Sequence, residues 1–368
     1  MPSNNEECIM KNEELNEVIK LFRVEGTVGA VGPLGHGLIN DTFLVKTKEV
    51  DKPDYVLQRI NHRIFTDVEL LQRNIELVTG HLRKKLLAEG VTDVDRRVLR
   101  FIPTFDGKTY QFDGQNYWRI SVYIADSHTI DEVTPRSSYD CGRAFGHFQR
   151  QLIDLKEPLG ETIPDFHNME LRLRQLRQAV ASDVAGRVKE VRKELALIEE
   201  HADGMCLAER LHREGKLPKR ICHCDTKVNN MLFDKEGNVL CIIDLDTVMP
   251  AFVFSDYGDF LRTAANSQPE DSPEFDKITF RRDIYEAFTD GYLETAACFL
   301  TSVEREHLPF AVAMFPFMQA VRFLADYLNG DTYYKIQYPG HNLVRTRNQL
   351  RYFQVVEAEL EQKKGHCL

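Results

Sequence analysis

Apolar and polar positions along the chain follow two rhythms, and the change falls near residue 125. Leu15, Val18, Ile19 and Phe22 recur at helical spacing within 13–24. The following stretch, GTVGAVGPLGHGLINDTFLVKT, sets a glycine cluster between two β-branched runs and predicts strand, glycine-rich turn, strand. YVLQRI at 55–60, VLRFIPTF at 98–105 and YWRISVYI at 117–124 predict further strands. One helix is expected over 66–89, with Val68, Leu71, Ile75, Val78 and Leu82 on one face.

Beyond residue 125 the period lengthens. Helices are expected over 138–154, as a charged pair within 169–210, and over 281–299, 303–328 and 342–361, with Pro309 and Pro316 breaking or kinking the fifth. A strand-rich island at 219–247 interrupts them. The expected class is α+β: a β-rich N-lobe over 1–124, with one crossing strand near residue 120, and a mostly helical C-lobe over 125–368. A chain of 368 residues exceeds what one core usually supports, which agrees with two lobes.

Composition narrows the function classes. The net charge of −10 gives no electrostatic footprint for nucleic acid or an anionic membrane, so neither partner is expected. Eight cysteines are too sparse for a disulfide scaffold, and Cys222 and Cys224 form C-x-C rather than C-x-x-C. They read as small buried hydrophobes in a reducing compartment. The N-terminus lacks a signal-peptide pattern and no long wholly apolar run is visible, so a cytoplasmic location is expected by elimination.

The chemistry concentrates in ICHCDTKVNNMLFDKEGNVLCIIDLDTVMPAFVFSDYGD, residues 221–259. Phosphoryl transfer needs a carboxylate for the acceptor hydroxyl, oxygen ligands for a cation on the nucleotide phosphates, and a positive charge for the moving group. Asp225 is the candidate base and Lys227 the cation. Asn230 and Asp244 offer one neutral and one charged oxygen, a set that suits Mg²⁺. Asp246 is either a further ligand or a cap. Met231–Phe233 and 239–243 read as a hairpin that brings Asn230 and Asp244 together. The H-x-D, Asn and hairpin-Asp spacing matches the catalytic-loop logic of protein kinases. His223 reads as an ordered histidine bonding the loop backbone. Asp256 and Asp259 either brace that loop or cap a following helix.

The pattern HCDTKVNNMLFD, CIIDLDTVMP and SDYGDFLR resembles the aminoglycoside phosphotransferase and choline kinase superfamily. Within it the likeness is strongest to bacterial N-acetylhexosamine 1-kinases, and it extends to VGPLGHGLINDTFLV, YVLQRIN, IPDFHN and RFLADYLNGDTYYK. The resemblance implies a bilobal protein-kinase-like fold, ATP as donor, Mg²⁺ as cofactor, and a small-molecule sugar as substrate. It implies phosphorylation of the sugar's anomeric hydroxyl. It places the base on Asp225, the metal on Asn230 and Asp244, and the sugar against Arg322 and Tyr333.

Some positions depart from the pattern. The nucleotide loop has Gly35, His36 and Gly37 but is not G-x-G-x-x-G; the glycines would let backbone amides approach phosphate, or mark a plain turn. His36, at its tip, either touches ligand or faces solvent. Where a kinase strand carries lysine, this chain has Gln58 and Arg59, which alternate across the strand. Gln58 replaces the lysine by position; Arg59 serves only if the register shifts; Glu76 is the candidate partner of whichever faces in. Adenine is expected near Tyr123. His167 is either a sugar contact or an inter-helix hydrogen bond. Other hydroxyl acceptors (an aminoglycoside, choline, homoserine, another sugar) and a non-catalytic binding module are the alternatives.

Overall fold

The structure is a computed structural model and describes residues 12–35 and 39–365, so His36 and Gly37 lie outside the described residues. The chain divides into two compact units, one ending at Ser127 and the other starting at His128.

The first unit contains α1 (Asn12–Ile19), β1 (Val28–Pro33), β2 (Asp41–Thr47), β3 (Tyr55–Ile60), α2 (Val68–Ala88), α3 (Val94–Arg97), β4 (Gln111–Phe112) and β5 (Tyr117–Val122). Its sheet is antiparallel, in the order β1-β2-β3-β5-β4. One core gathers Val45, Tyr55, Leu57, Trp118 and Ile120 against Leu15, Val18, Ile19 and Phe22. The strand expected over 98–105 does not form. Ile102 and Val122 share backbone bonds with Ile120 and Arg100, but only an isolated bridge joins Phe101 to Ser121. Pro103 has no N–H to extend a ladder. Its carbonyl instead accepts from Arg23 at 2.9 Å, and a bridge ties Phe22 to Thr104; this pulls the chain out of α1 earlier than its periodicity suggests.

The second unit contains α4 (Pro135–Gln151), α5 (Met169–Ser182), α6 (Arg192–Met205), α7 (Leu207–Arg213), β6 (Arg220–Cys222), β7 (Met231–Phe233), β8 (Val239–Ile242), β9 (Met249–Ala251), α8 (Phe254–Ala264), α9 (Arg282–Ala296), α10 (Ser302–Glu306), α11 (Leu308–Leu328) and α12 (His341–Gly365). Two small antiparallel pairs, β6 with β9 and β7 with β8, sit among these helices. Thr134 caps α4 through a reciprocal pair of bonds with Ser137. α4 and α9 approach so closely that a Cβ on Gly291 would stand 2.0 Å from the Tyr139 carbonyl, and one on Gly142 2.2 Å from that of Phe288.

The sequence reading saw no long apolar run, yet α11 has the length and mean hydropathy, 1.5, that could cross a membrane. Arg322 interrupts the run and hides it from inspection. Of that window 78% is buried within the protein, and its side chains join the unit's core, as expected for a helix apolar all round. Pro309 sits in the first turn of α11, where its missing N–H costs nothing, so the break falls before it. Pro316 lies inside the helix, which continues through it. Cys141, Cys206, Cys222, Cys224 and Cys241 are free and buried; Cys298 is free and exposed.

Candidate functional site

The loop between β6 and β7 presents Asp225. Asn230 donates its Nδ2 to Asp225 Oδ2 at 2.9 Å and to the Asp225 carbonyl at 2.8 Å. Lys227 Nζ stands 3.2 Å from Oδ1. Burial pushes the Asp225 carboxyl up, but the Lys227 charge, the His223 ring and these hydrogen bonds outweigh it, so its pKa lies below the ordinary value. The Asp225 charge in turn raises Lys227 above its usual range. An ionised, oriented carboxylate is what an acceptor hydroxyl requires.

His223 holds this loop from beneath and is fully buried. Its Nε2 lies 2.9 Å from the Ile243 carbonyl and its Nδ1 accepts from the Asp225 N–H at 3.3 Å, which together define a neutral ring protonated on Nε2. The β7–β8 hairpin forms with Met231 opposite Ile242, and Ile243 N–H donates to the Asn230 carbonyl at 2.9 Å. Asp244 follows directly, exposed, with a φ of 57° in the left-handed region. The hairpin thus delivers Asp244 beside Asn230. Asp246 is buried, at 3% exposure, and its carbonyl accepts from Thr162 Oγ1 at 2.8 Å.

Asp256 and Asp259 brace the loop rather than cap α8, whose N-terminal turn has no side-chain cap bond. Asp256, at 0% exposure, accepts from His223 N–H at 3.0 Å and from Cys224 N–H at 2.8 Å, one on each carboxylate oxygen. Gln149 Nε2 adds a third bond at 2.7 Å. These hold Cys224 at a φ of 64°, a conformation that costs a non-glycine residue ~1–3 kcal/mol and that turns the chain immediately before Asp225. Burial raises the Asp256 pKa against the pull of these donors. Asp259 accepts from Thr226 N–H at 3.1 Å and pairs with Arg262, which bonds Glu270 at 2.7 Å. Gln149, Arg262 and Glu270 escaped the sequence reading because nothing in their spacing ties them to a loop more than a helix away.

A second cluster forms around α5 and α11. The Arg322 guanidinium lies over the Phe166 ring at 5.1 Å and the Tyr334 ring at 5.7 Å, and bonds Gln319 at 3.1 Å. His167 stacks on Phe166 at 4.3 Å and meets Phe315 edge-on at 5.0 Å. Burial pushes its imidazole well below the usual range; Arg322 and Arg172 push the same way, and only the Asp225 charge opposes them. Tyr333 is 52% exposed and meets Tyr334 edge-on, in a turn whose amides Asp326 gathers. Phe166, Tyr334 and Arg172 are additions that the sequence reading did not single out.

In the first unit, the register sets Gln58 opposite Thr42 and Arg119, and Arg59 opposite Asp41 and Trp118, with no shift. Gln58 accepts from Arg119 Nε at 2.9 Å and donates to Thr42 at 3.3 Å. Arg119 was missed; it is 2% exposed on the face that Gln58 shares. Arg59 pairs with Asp41 through Nε at 2.7 Å. Glu76 accepts from Thr109. Gly35 has a φ of 68°, in the left-handed region that favours glycine. The Tyr123 ring carries Lys46 Nζ at 5.8 Å, and Lys46 bonds Asp54 at 2.8 Å.

Residues 30–297 match the model of the phosphotransferase enzyme family, APH, and the chain belongs to that family. Solved structures with the same fold include a spectinomycin phosphotransferase in complex with ADP and spectinomycin, at 14% identity and TM-score 0.60, covering 95% of this chain and 99% of that one. An amicoumacin kinase in complex with AMP-PNP and Ca²⁺ shares 14% identity at TM-score 0.60, covering 93% of both chains. A microcompartment-associated aminopropanol kinase shares 14% identity at TM-score 0.56, covering 95% of this chain and 98% of that one. The α+β fold, with an antiparallel sheet N-terminally and helices C-terminally, is that of these kinases, and the family the chain belongs to is one of phosphotransferases.

Proposed function

We propose, taking membership of the phosphotransferase enzyme family as the premise, that the protein transfers the γ-phosphoryl group of ATP to the anomeric hydroxyl of an N-acetylhexosamine, giving the sugar 1-phosphate and ADP. The observation that carries the catalytic part is the Asp225 carboxylate, kept ionised and aimed by Asn230 and Lys227. Asp225 accepts the proton of the attacking hydroxyl as the oxygen–phosphorus bond forms and the bond to the ADP oxygen breaks. Lys227, within reach of Asp225, meets the charge on the phosphoryl oxygens.

The residues present fit a hard divalent cation. Asn230 commits its Nδ2 to Asp225, which leaves Oδ1 as a neutral ligand, and exposed Asp244 adds one charged oxygen beside it. When bound, Mg²⁺ would neutralise phosphate charge. Asp246 is the weaker candidate, because its burial leaves it less accessible than Asp244. In the first unit, Gly35, His36 and Gly37 are assigned to the phosphates, Gln58 and Arg59 to the strand-lysine role, and Tyr123 to the adenine.

The acceptor rests on the N-acetylhexosamine 1-kinase likeness, which places Arg322 and Tyr333 against the sugar; His167 is assigned there with them. Their clustering around Phe166 and Tyr334 supports that reading. A coupled assay for ADP release over a panel of acceptors tests it. Turnover of N-acetylglucosamine or N-acetylgalactosamine, with none of kanamycin or choline, is expected. Faster turnover of kanamycin or choline moves the protein to another acceptor class.

A further inference from the structure

Arg172 has no part in the scheme above, yet it is tied to the acceptor cluster. Its Nε donates to the Phe166 carbonyl at 3.1 Å, its Nη2 donates to the same oxygen at 2.5 Å and to the Asp165 carbonyl at 3.3 Å, and its Nη1 donates to Gln175. Asp165 has a φ of 52°, so Arg172 fastens a turn held in the left-handed region. That turn supplies the Phe166 ring beneath Arg322 and the His167 ring stacked on it. Burial and the Arg322 charge push Arg172 down to about 10, which places two guanidiniums in mutual repulsion.

Among the described residues neither guanidinium forms an ion pair. The carboxylates that face the cluster are committed elsewhere. Asp225 is held by Lys227 at 3.2 Å, Glu270 by Arg262 at 2.7 Å, and Asp165 accepts from Asn168 at 2.8 Å. His167 is neutral and adds no negative charge. Rings and carbonyls therefore support both guanidiniums around Phe166 with no ion pair to either among the described residues. Such a wall repels a cationic acceptor and attracts carbonyl, hydroxyl or carboxylate oxygen.

We propose that Arg172 and Arg322 form a cationic screen that admits neutral or anionic hydroxyl acceptors to Asp225 and rejects protonated amines. The screen deepens the reading of Asp225 as base and rests on it. Arg172 acts as a specificity-determining residue through its charge.

The test compares kcat/KM for N-acetylglucosamine and glucosamine, and for glucose and glucosamine, below neutral pH where the amine is protonated. Wild type should prefer the neutral member of each pair. Arg172→Gln should reduce that preference about tenfold, the effect expected of one charge removed several ångströms away in a partly buried site. Arg172→Lys should keep it. Rising ionic strength should narrow the preference in the wild type, a readout that needs no variant. A preference unchanged by Arg172→Gln, lost equally in Arg172→Lys, or indifferent to salt overturns the screen. Failure with N-acetylglucosamine but turnover of glucose removes the hexosamine assignment and still leaves the glucose pair to judge the screen. Choline or kanamycin outpacing every neutral sugar overturns the screen, and no turnover of any acceptor overturns both readings.

Discussion

At Asp225 two effects oppose each other. Burial favours the protonated acid, while the neighbouring ammonium, the His223 ring and two N–H donors favour the anion, and the anion wins. The acid limb of kcat/KM should therefore lie below the ordinary aspartate range; a profile that falls above that range would contradict the assignment. Stability follows with a definite sign. A carboxyl held below its unfolded value contributes stability above the ordinary aspartate pKa and loses it as pH falls through the lower folded value. The difference in thermal midpoint between wild type and Asp225→Asn should shrink over that acidic window. The same variant should lose roughly 10²–10⁴-fold in turnover while retaining ATP binding, measured by calorimetry beside the assay. Asp244→Ala makes the complementary prediction: nucleotide affinity should lose its dependence on Mg²⁺, and an affinity for Mg²⁺-ATP equal to that of the wild type would remove Asp244 from the metal.

Among the elements, the α4–α9 crossing is the least forgiving. Gly291 faces a carbonyl that a methyl group cannot pass, and helix backbones do not yield by an ångström. Gly291→Ala should cost ~1–3 kcal/mol as overpacking and lower the thermal midpoint by several degrees. Legibility divides at this scale too. The β7–β8 hairpin could be read because its turn, its apolar runs and its polar ends are contiguous. α11 could be read as a helix because apolar residues dominate it on both sides of Arg322, although Pro316 predicted a break that burial of the helix overrides. The strand at 98–105 misled because its β-branched and aromatic run promises a ladder that Pro103 prevents. Asp225, Asn230 and Asp244 were legible together because one loop and the hairpin that follows it carry them. Arg172 and Arg262 were not, because their contacts join segments whose approach only the folded chain defines.

For the whole molecule, the two units each enclose their own hydrophobic cluster, one from α1 and the five-stranded sheet and one from the helices beyond His128. Scanning calorimetry should resolve two transitions, with Gly291→Ala shifting only that of the second unit. Saturating Mg²⁺-ATP at about a hundred times its Kd should add ~2.7 kcal/mol to whatever binds it, and the transition that moves identifies the unit carrying the greater part of the nucleotide contact.

The clasp of Asp256 on two successive amides has a wider consequence. The direction in which Asp225 points is written into the main chain by a helix, whereas the acceptor cluster is drawn from α5, α11 and the turn after it. In the proposed scheme, reactivity and choice of customer are thereby housed in separate parts. A lineage could exchange the aromatic and guanidinium furniture around position 322, and with it the molecules it serves, without disturbing the aim of the proposed base.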